Sequence, residues 1–174
     1  DVYKRQGMPA PARPGSITAA FWLIVSAGLV QLLSTALGLL AANTPEGRAL
    51  LEQTMRDAVG QAGLPADQAS EMEAMMLGAV PAVLTTTAVL GVLGFLLYLL
   101  IAVKIRGGSR AARTVGTVLA VLSVLMLLAN LAMGAFSVFE LLWVGLGVAG
   151  IVMSYRKDAT EFMRLKAWER AGRR

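Results

Sequence analysis

Four long stretches without a charge constrain this chain more than any other feature. They cover 17–42, 82–103, 114–134 and 138–155, the last with a single acid, Glu140, near its start. A bilayer core of about 30 Å needs about 20 helical residues, so each stretch is long enough to span. The first would measure about 39 Å if wholly helical, which calls for tilt or protrusion. Hydrophobic residues make up 56% of the 174 and charged ones 16%, an apolar share gathered in runs rather than alternating. The expectation is an all-α polytopic membrane protein, a four-transmembrane-helix bundle with a helical extracytoplasmic loop and a C-terminal interfacial amphipathic helix.

The segments between the runs set the expected orientation, because Lys and Arg collect on the cytoplasmic side. Lys104, Arg106, Arg110 and Arg113 fill the link between the second and third runs with no acid among them. Arg13 precedes the first run, and 156–174 carries Arg156, Lys157, Arg164, Lys166, Arg170, Arg173 and Arg174. The loop 43–81 has Arg48 and Arg56 against Glu46, Glu52, Asp57, Asp67, Glu71 and Glu73. An even number of spans then puts both termini in the cytoplasm of a cell-membrane protein. Trp22, Tyr98 and Tyr155 fall toward the inner interface and Phe136 and Phe139 toward the outer one, the depths that amphipathic rings favour.

The domain organisation follows as a disordered N-terminal segment 1–16, a transmembrane domain 17–155 and a basic cytoplasmic tail 156–174. Residues Asp1 to Gln6 resemble the in-frame translation of a transposase adapter, so the natural chain is expected to begin near Met8. No cleavable signal peptide is expected, the first apolar run being too long for one.

Within the loop 43–81, Thr44-Pro45-Glu46 predicts a helix start, with a capping hydroxyl, proline at the first position and an acid in the first turn. Gly63-Leu64-Pro65 predicts a break, Ser70 with Glu73 a second capping box, and Pro81 either the start of the second span or a kink in it. The few residues around 134–137 predict a tight antiparallel hairpin. In the tail, Asp158 and Glu161 predict another capped helix, with Phe162, Leu165 and Trp168 on one face and Arg164, Lys166 and Arg170 elsewhere. Such a helix is expected to lie on the inner leaflet.

The stretch Val103-Lys104-Ile105-Arg106-Gly107-Gly108-Ser109-Arg110-Ala111-Ala112-Arg113 resembles the K-x-R-x-G-x-x-W-A-R segment of a group of uncharacterised bacterial four-transmembrane-helix proteins. Tyr155 to Phe162 resembles their Y-R-P-x-A-x-x-[YF] tail, and Arg13-Pro14-Gly15 before Thr18 to Trp22 resembles their approach to the first span. Ala111 stands where the group has Trp, and Lys157 where it has Pro. The resemblance implies the same topology and no particular activity.

Functional side chains are sparse. With no cysteine and no histidine, thiolate sites and the commonest general base and metal ligand are missing. No phosphate loop, serine nucleophile motif or paired-carboxylate arrangement occurs, so neither an enzyme nor a cofactor is expected. Glu140 is the one acid inside a span, and an intramembrane acid is a functional candidate by default. With Asn130, Thr86 and Thr35 it would make a polar pocket in the outer half; hydration or a hydrogen bond to Asn130 is the plainer account. Met72, Met75 and Met76 could hold Cu(I) through their thioethers, or simply form an apolar face; no metal is the expectation. Lys104, Arg106, Arg110, Arg113, Arg164, Lys166 and Arg170 are expected to touch anionic headgroups of the inner leaflet. They lack any nucleic-acid motif, so that partner is not expected. Small residues spaced four apart, at Ser34/Gly38, Thr87/Gly91, Gly116/Ala120 and Gly145/Ala149, suit close helix contacts within the chain or in a homo-oligomer. The function these features favour is a non-enzymatic scaffold, modulator or envelope sensor with an unidentified membrane partner. The alternative is a small-solute or ion transporter using the polar residues around Glu140.

Overall fold

The computed structural model describes residues 12–135 and 137–172, and no strand occurs among them. Six helices follow one another: α1 (Gly15–Ala42), α2 (Pro45–Gln61), α3 (Ala66–Arg106), α4 (Arg110–Ala132), α5 (Val138–Ser154) and α6 (Lys157–Ala171). Most of the expected segment 1–16 lies outside the described residues, as do Phe136 and the last two arginines. Helix α1 already includes Gly15 and Ser16, and Ser16 is buried.

Helices α1, α3 and α4 are each long and apolar enough to cross a membrane. Helix α5 is shorter, at 17 residues, and continues into α6 through a 65° bend. In the most apolar windows of α1, α3 and α4 only 17%, 22% and 6% of the residues are buried inside the protein. Apolar side chains on this scale facing outward need a solvent other than water, and a bilayer supplies it.

The contacts divide the chain into two units. One is built from the segments up to Gln31 and from Gly94 onward, the other from Leu32–Leu93. In the first, α1 contributes a stripe spaced by three and four: Ile17, Ala20, Phe21, Ile24, Ala27, Gly28 and Gln31. That spacing keeps one helix face turned to its neighbours. Of this stripe, Ile17, Ala20, Phe21 and Ile24 join Ile101, Ala102 and Ile105 of α3, Ile151 of α5, and Ala159, Phe162 and Met163 of α6 in one buried cluster. Glycines let these helices approach. A Cβ on Gly28 would come within 2.8 Å of the Tyr98 Cβ, and one on Gly150 within 2.6 Å of Ile24.

The turns of this unit are closed locally. After α3, Gly108 takes a positive φ of 77° and the Ser109 N–H donates to the Lys104 carbonyl. This arrangement satisfies carbonyls that a helix end leaves open. Ser109 then caps α4 by accepting from the Ala112 N–H. Gly134, Asn130 and Ser137 repeat the pattern between α4 and α5. This is the tight connection expected at 134–137.

In the second unit the loop 43–81 departs from expectation. Thr44 caps α2 with Pro45 in the first turn, and the chain breaks at Gly63, as the sequence predicts. A separate capped helix before the second span does not form. Helix α3 starts at Ala66 and runs unbroken for 41 residues, about 62 Å. Ser70 donates its hydroxyl to the Asp67 carbonyl inside the helix instead of capping a new one. Pro81 sits in the interior, where it lacks the N–H that would reach Leu77, and Thr85 turns its hydroxyl onto the Pro81 carbonyl. Glu73 of α3 accepts from Arg56 of α2 at 2.8 Å, tying the two helices together. The Glu73 carboxylate holds the Arg56 guanidinium above its ordinary pKa.

Candidate functional site

Two polar clusters stand out in the first unit, one at each end of the α4–α5 pair. At the hairpin end, Ser137 accepts the Glu140 N–H at 3.1 Å and so begins α5. This puts Glu140 in the first turn, where the helix dipole favours a negative charge. Asn130, near the end of α4, donates its amide to the Glu140 carboxylate at 2.8 Å. Of the four residues proposed for a polar pocket, these two are in direct contact. The other two belong to the second unit: Thr35 lies against Gly91, and Thr86 is exposed on α3.

At the opposite end the basic residues divide into two groups. Arg113 donates to the Ser154 carbonyl at 3.2 Å and to the Thr160 hydroxyl at 3.1 Å. Its guanidinium lies 4.4 Å from the centre of the Tyr155 ring. Thr117 gives its hydroxyl proton to the Arg113 carbonyl, so the Tyr155 hydroxyl, 2.9 Å away, donates to Thr117. Arg113 thus closes the C-terminus of α5, where carbonyls lack partners and the dipole favours a cation. Arg170 does the same after α3, donating to the Gly107 carbonyl at 2.6 Å. Arg106 stacks 4.7 Å over Phe21, and Lys166 pairs with the buried Glu169 at 2.8 Å. Four of the seven residues expected at lipid headgroups are therefore engaged within the chain. The other three, Lys104, Arg110 and Arg164, are exposed, and among the described residues no side-chain hydrogen bond or ion pair holds them.

Helix α6 forms where the tail pattern predicts, but not with the predicted cap or a single apolar face. Its N-cap is Arg156, without a side-chain cap bond. Asp158 instead accepts the Ser16 hydroxyl of α1 at 2.7 Å, and this hydrogen bond holds its carboxyl below the ordinary aspartate range. Ala159, Phe162, Met163 and Glu169 are buried, whereas Leu165 and Trp168 remain 42% and 77% exposed. At ~100° per residue, Trp168 lies about 120° round the helix from Phe162. Phe162 faces protein; Leu165 and Trp168 face away. Between them and α4, the residues Arg110, Arg164, Ala167, Trp168 and Ala171 line a shallow groove of about 510 Å³.

Met72 and Met75 are exposed and Met76 is half-buried, all on α3. Among the described residues no three His, Cys, Asp or Glu side chains gather as a metal site. Of the small-residue positions, Gly91 and Gly116 lie in close helix contacts, against Thr35 and Ile151, while Gly38 and Gly145 face open space.

The class that the all-helical fold and its several long apolar helices are compatible with is that of multi-pass membrane proteins. Comparison with family models, curated proteins and solved structures gives no match. The resemblance to the bacterial four-transmembrane-helix group therefore rests on its short stretches alone.

Sequence reasoning missed the tie from Ser16 to Asp158 and the cage around Arg113. The signal for the first was present, since the three-and-four spacing from Ile17 to Gln31 marks a helix face that something must cover. Nothing local singles out Arg113, because its partners lie on α5 and α6.

Proposed function

We propose that this chain is a cell-membrane protein of four spans with both termini in the cytoplasm, working as a non-enzymatic scaffold, modulator or envelope sensor. The observation that carries this reading is how the charged and polar groups of the first unit are used. Arg113 and Arg170 close helix ends, Asn130 binds Glu140, and Asp158 binds Ser16 of α1. Groups used in this way leave the molecule's outer faces as the means of engaging others, and surface recognition is what a scaffold does. The acidic segment 43–81 would be extracytoplasmic, a helical hairpin of α2 and the start of α3 held by Arg56 and Glu73. It offers a docking face to a membrane partner or to a second copy. The basic end would meet the anionic inner leaflet, in keeping with the positive-inside bias.

Two measurements test this. Cysteines replacing Gln61 and Lys157, both exposed, should label from opposite sides of the membrane, Gln61→Cys from outside. Labelling of both from one side would overturn the four-span topology. Photo-crosslinkers at Asp57 and Met75 in native membranes should yield a discrete protein adduct. A solute or ion flux in proteoliposomes that Glu140→Ala abolishes would instead establish the transporter reading and end this one.

A further inference from the structure

We infer that the groove between α4 and α6 is a discrete site for one anionic phospholipid, its headgroup held by Arg110 and Arg164 and its glycerol and upper acyl region lying against Trp168. Three independent features lead there. The first is charge. Arg106, Arg113, Lys166 and Arg170 are engaged by Phe21, by Tyr155 with Ser154 and Thr160, by Glu169 and by Gly107. Arg110 and Arg164 are exposed and unpaired among the described residues, yet both line the same groove. Two arginines on one groove can each offer a guanidinium to one anion, a pairing that suits a phosphate.

The second feature is the apolar floor. Ala167 and Ala171 add no bulk, and Trp168, 77% exposed, lines the same groove. An indole left so open beside two cations matches an amphiphile with a charged head and a hydrocarbon body. The third feature is placement. Helix α6 departs from the apolar helix α5 at 65°. If α5 crosses the bilayer, α6 runs closer to the membrane plane than to its normal, at the level of the headgroups.

This site rests on the membrane reading above but not on the direction of insertion. Its test uses bilayers in which both leaflets have the same composition, while cysteine labelling reads orientation separately. The full chain is reconstituted in nanodiscs of mixed phosphatidylglycerol and phosphatidylcholine with matched acyl chains. It is then extracted mildly, and the retained lipids are counted by native mass spectrometry. The expected result is one tightly retained lipid with a preference for phosphatidylglycerol on the order of tenfold, since two basic groups act on it. Arg110→Gln with Arg164→Gln should bring that preference close to parity, and each single change should remove part of it. Lys104→Gln, an exposed basic residue outside the groove, should leave it intact. Trp168→Ala should shorten retention of both lipids alike.

A preference that survives the double change would overturn the site. So would an equal loss with Lys104→Gln, which would mean a diffuse basic surface. Absence of any retained lipid from the wild type would do the same. If the double variant does not purify as a single species, the two single variants decide the matter. Quenching of Trp168 by brominated phosphatidylglycerol, in a chain with Trp22→Phe and Trp143→Phe, gives a second readout.

Discussion

The two ends of the α4–α5 pair are solvated differently. At the end that α6 joins, Gly116 packs against Ile151, Ser154 is fully buried, and Arg113 is enclosed by groups from α5 and α6. At the hairpin end, Leu131, Met133, Val138 and Leu141 are each half exposed or more, and one amide–carboxylate contact joins the helices. The first end carries its own solvent, a protein core; the second depends on its surroundings. Where apolar side chains already face hydrocarbon, burying them against protein gains little, so helix association relies on close packing and polar contacts. The core with buried aromatic and aliphatic side chains forms at the α6 end, where α1, α3, α5 and α6 meet.

The largest expected effect tests whether α6 belongs to that core or to the lipid surface. Phe162→Ala should lower thermal stability in mild detergent by about 3–5 kcal/mol, the usual range for a buried phenylalanine. Trp168→Ala should stay within about 0.5 kcal/mol, as exposed positions do. If the two effects exchange places, α6 is held by the bilayer and the core ends at α5.

That pair of residues also marks the limit of what the sequence makes legible. Uncharged runs locate the apolar helices, because exclusion of charge is a local property of a span. The cap at Thr44 is local as well and was readable; the cap at Ser137 was not read, although its signal is equally local. The division of Phe162 from Trp168 is not, since it depends on Ile17, Phe21 and Ile105, far away in the chain. The continuity of α3 was hidden by Ser70 and Pro81, each a boundary signal in isolation. Helical residues on both sides outweigh the one hydrogen bond that proline removes, and the helix continues. For the candidate site, Glu140 and Asn130 were legible because the hairpin between them is short. The sorting of the basic residues was not, because arginines 110 and 113 differ only in what α5 and α6 bring to them.

A smaller effect should separate close packing from mere proximity. A methyl on Gly150 would press on Ile24 and lie 3.2 Å from the Ala20 carbonyl oxygen, which as backbone yields little. Gly150→Ala should cost about 1–3 kcal/mol through overpacking. Gly145, on the same helix, faces open space. Gly145→Ala should stabilise by about 0.5–1 kcal/mol, because helical glycine loses more freedom on folding. Equal responses at both positions would mean that α5 does not approach α1 as closely as the Gly150 contact requires.

The smallest expected effect concerns how the core end is fastened, and it appears only in acid. The Ser16 hydroxyl donates to Asp158 at 2.7 Å, favours the carboxylate and lowers its pKa. A depressed aspartate contributes stability that is complete above its unfolded value, near 3.9, and is lost as the pH falls through the lower folded value. Amide exchange across 157–171 in detergent should therefore hold steady from pH 7 to about 5 and lose part of its protection below about 4. Glu161 and Glu169 are carboxylates of the same helix, Glu169 paired with Lys166, so acid alone does not isolate Asp158. Ser16→Ala does: it removes the donor, and the acid-dependent step should shrink while the remaining contribution persists. Ser16→Thr, which keeps a hydroxyl, should restore the step. The exposure of Asp158 keeps the effect small, because water competes for the carboxylate. Protection that instead rises on acidification would mean that α6 docks with Asp158 protonated, and the direction of this hydrogen bond would have to be reversed.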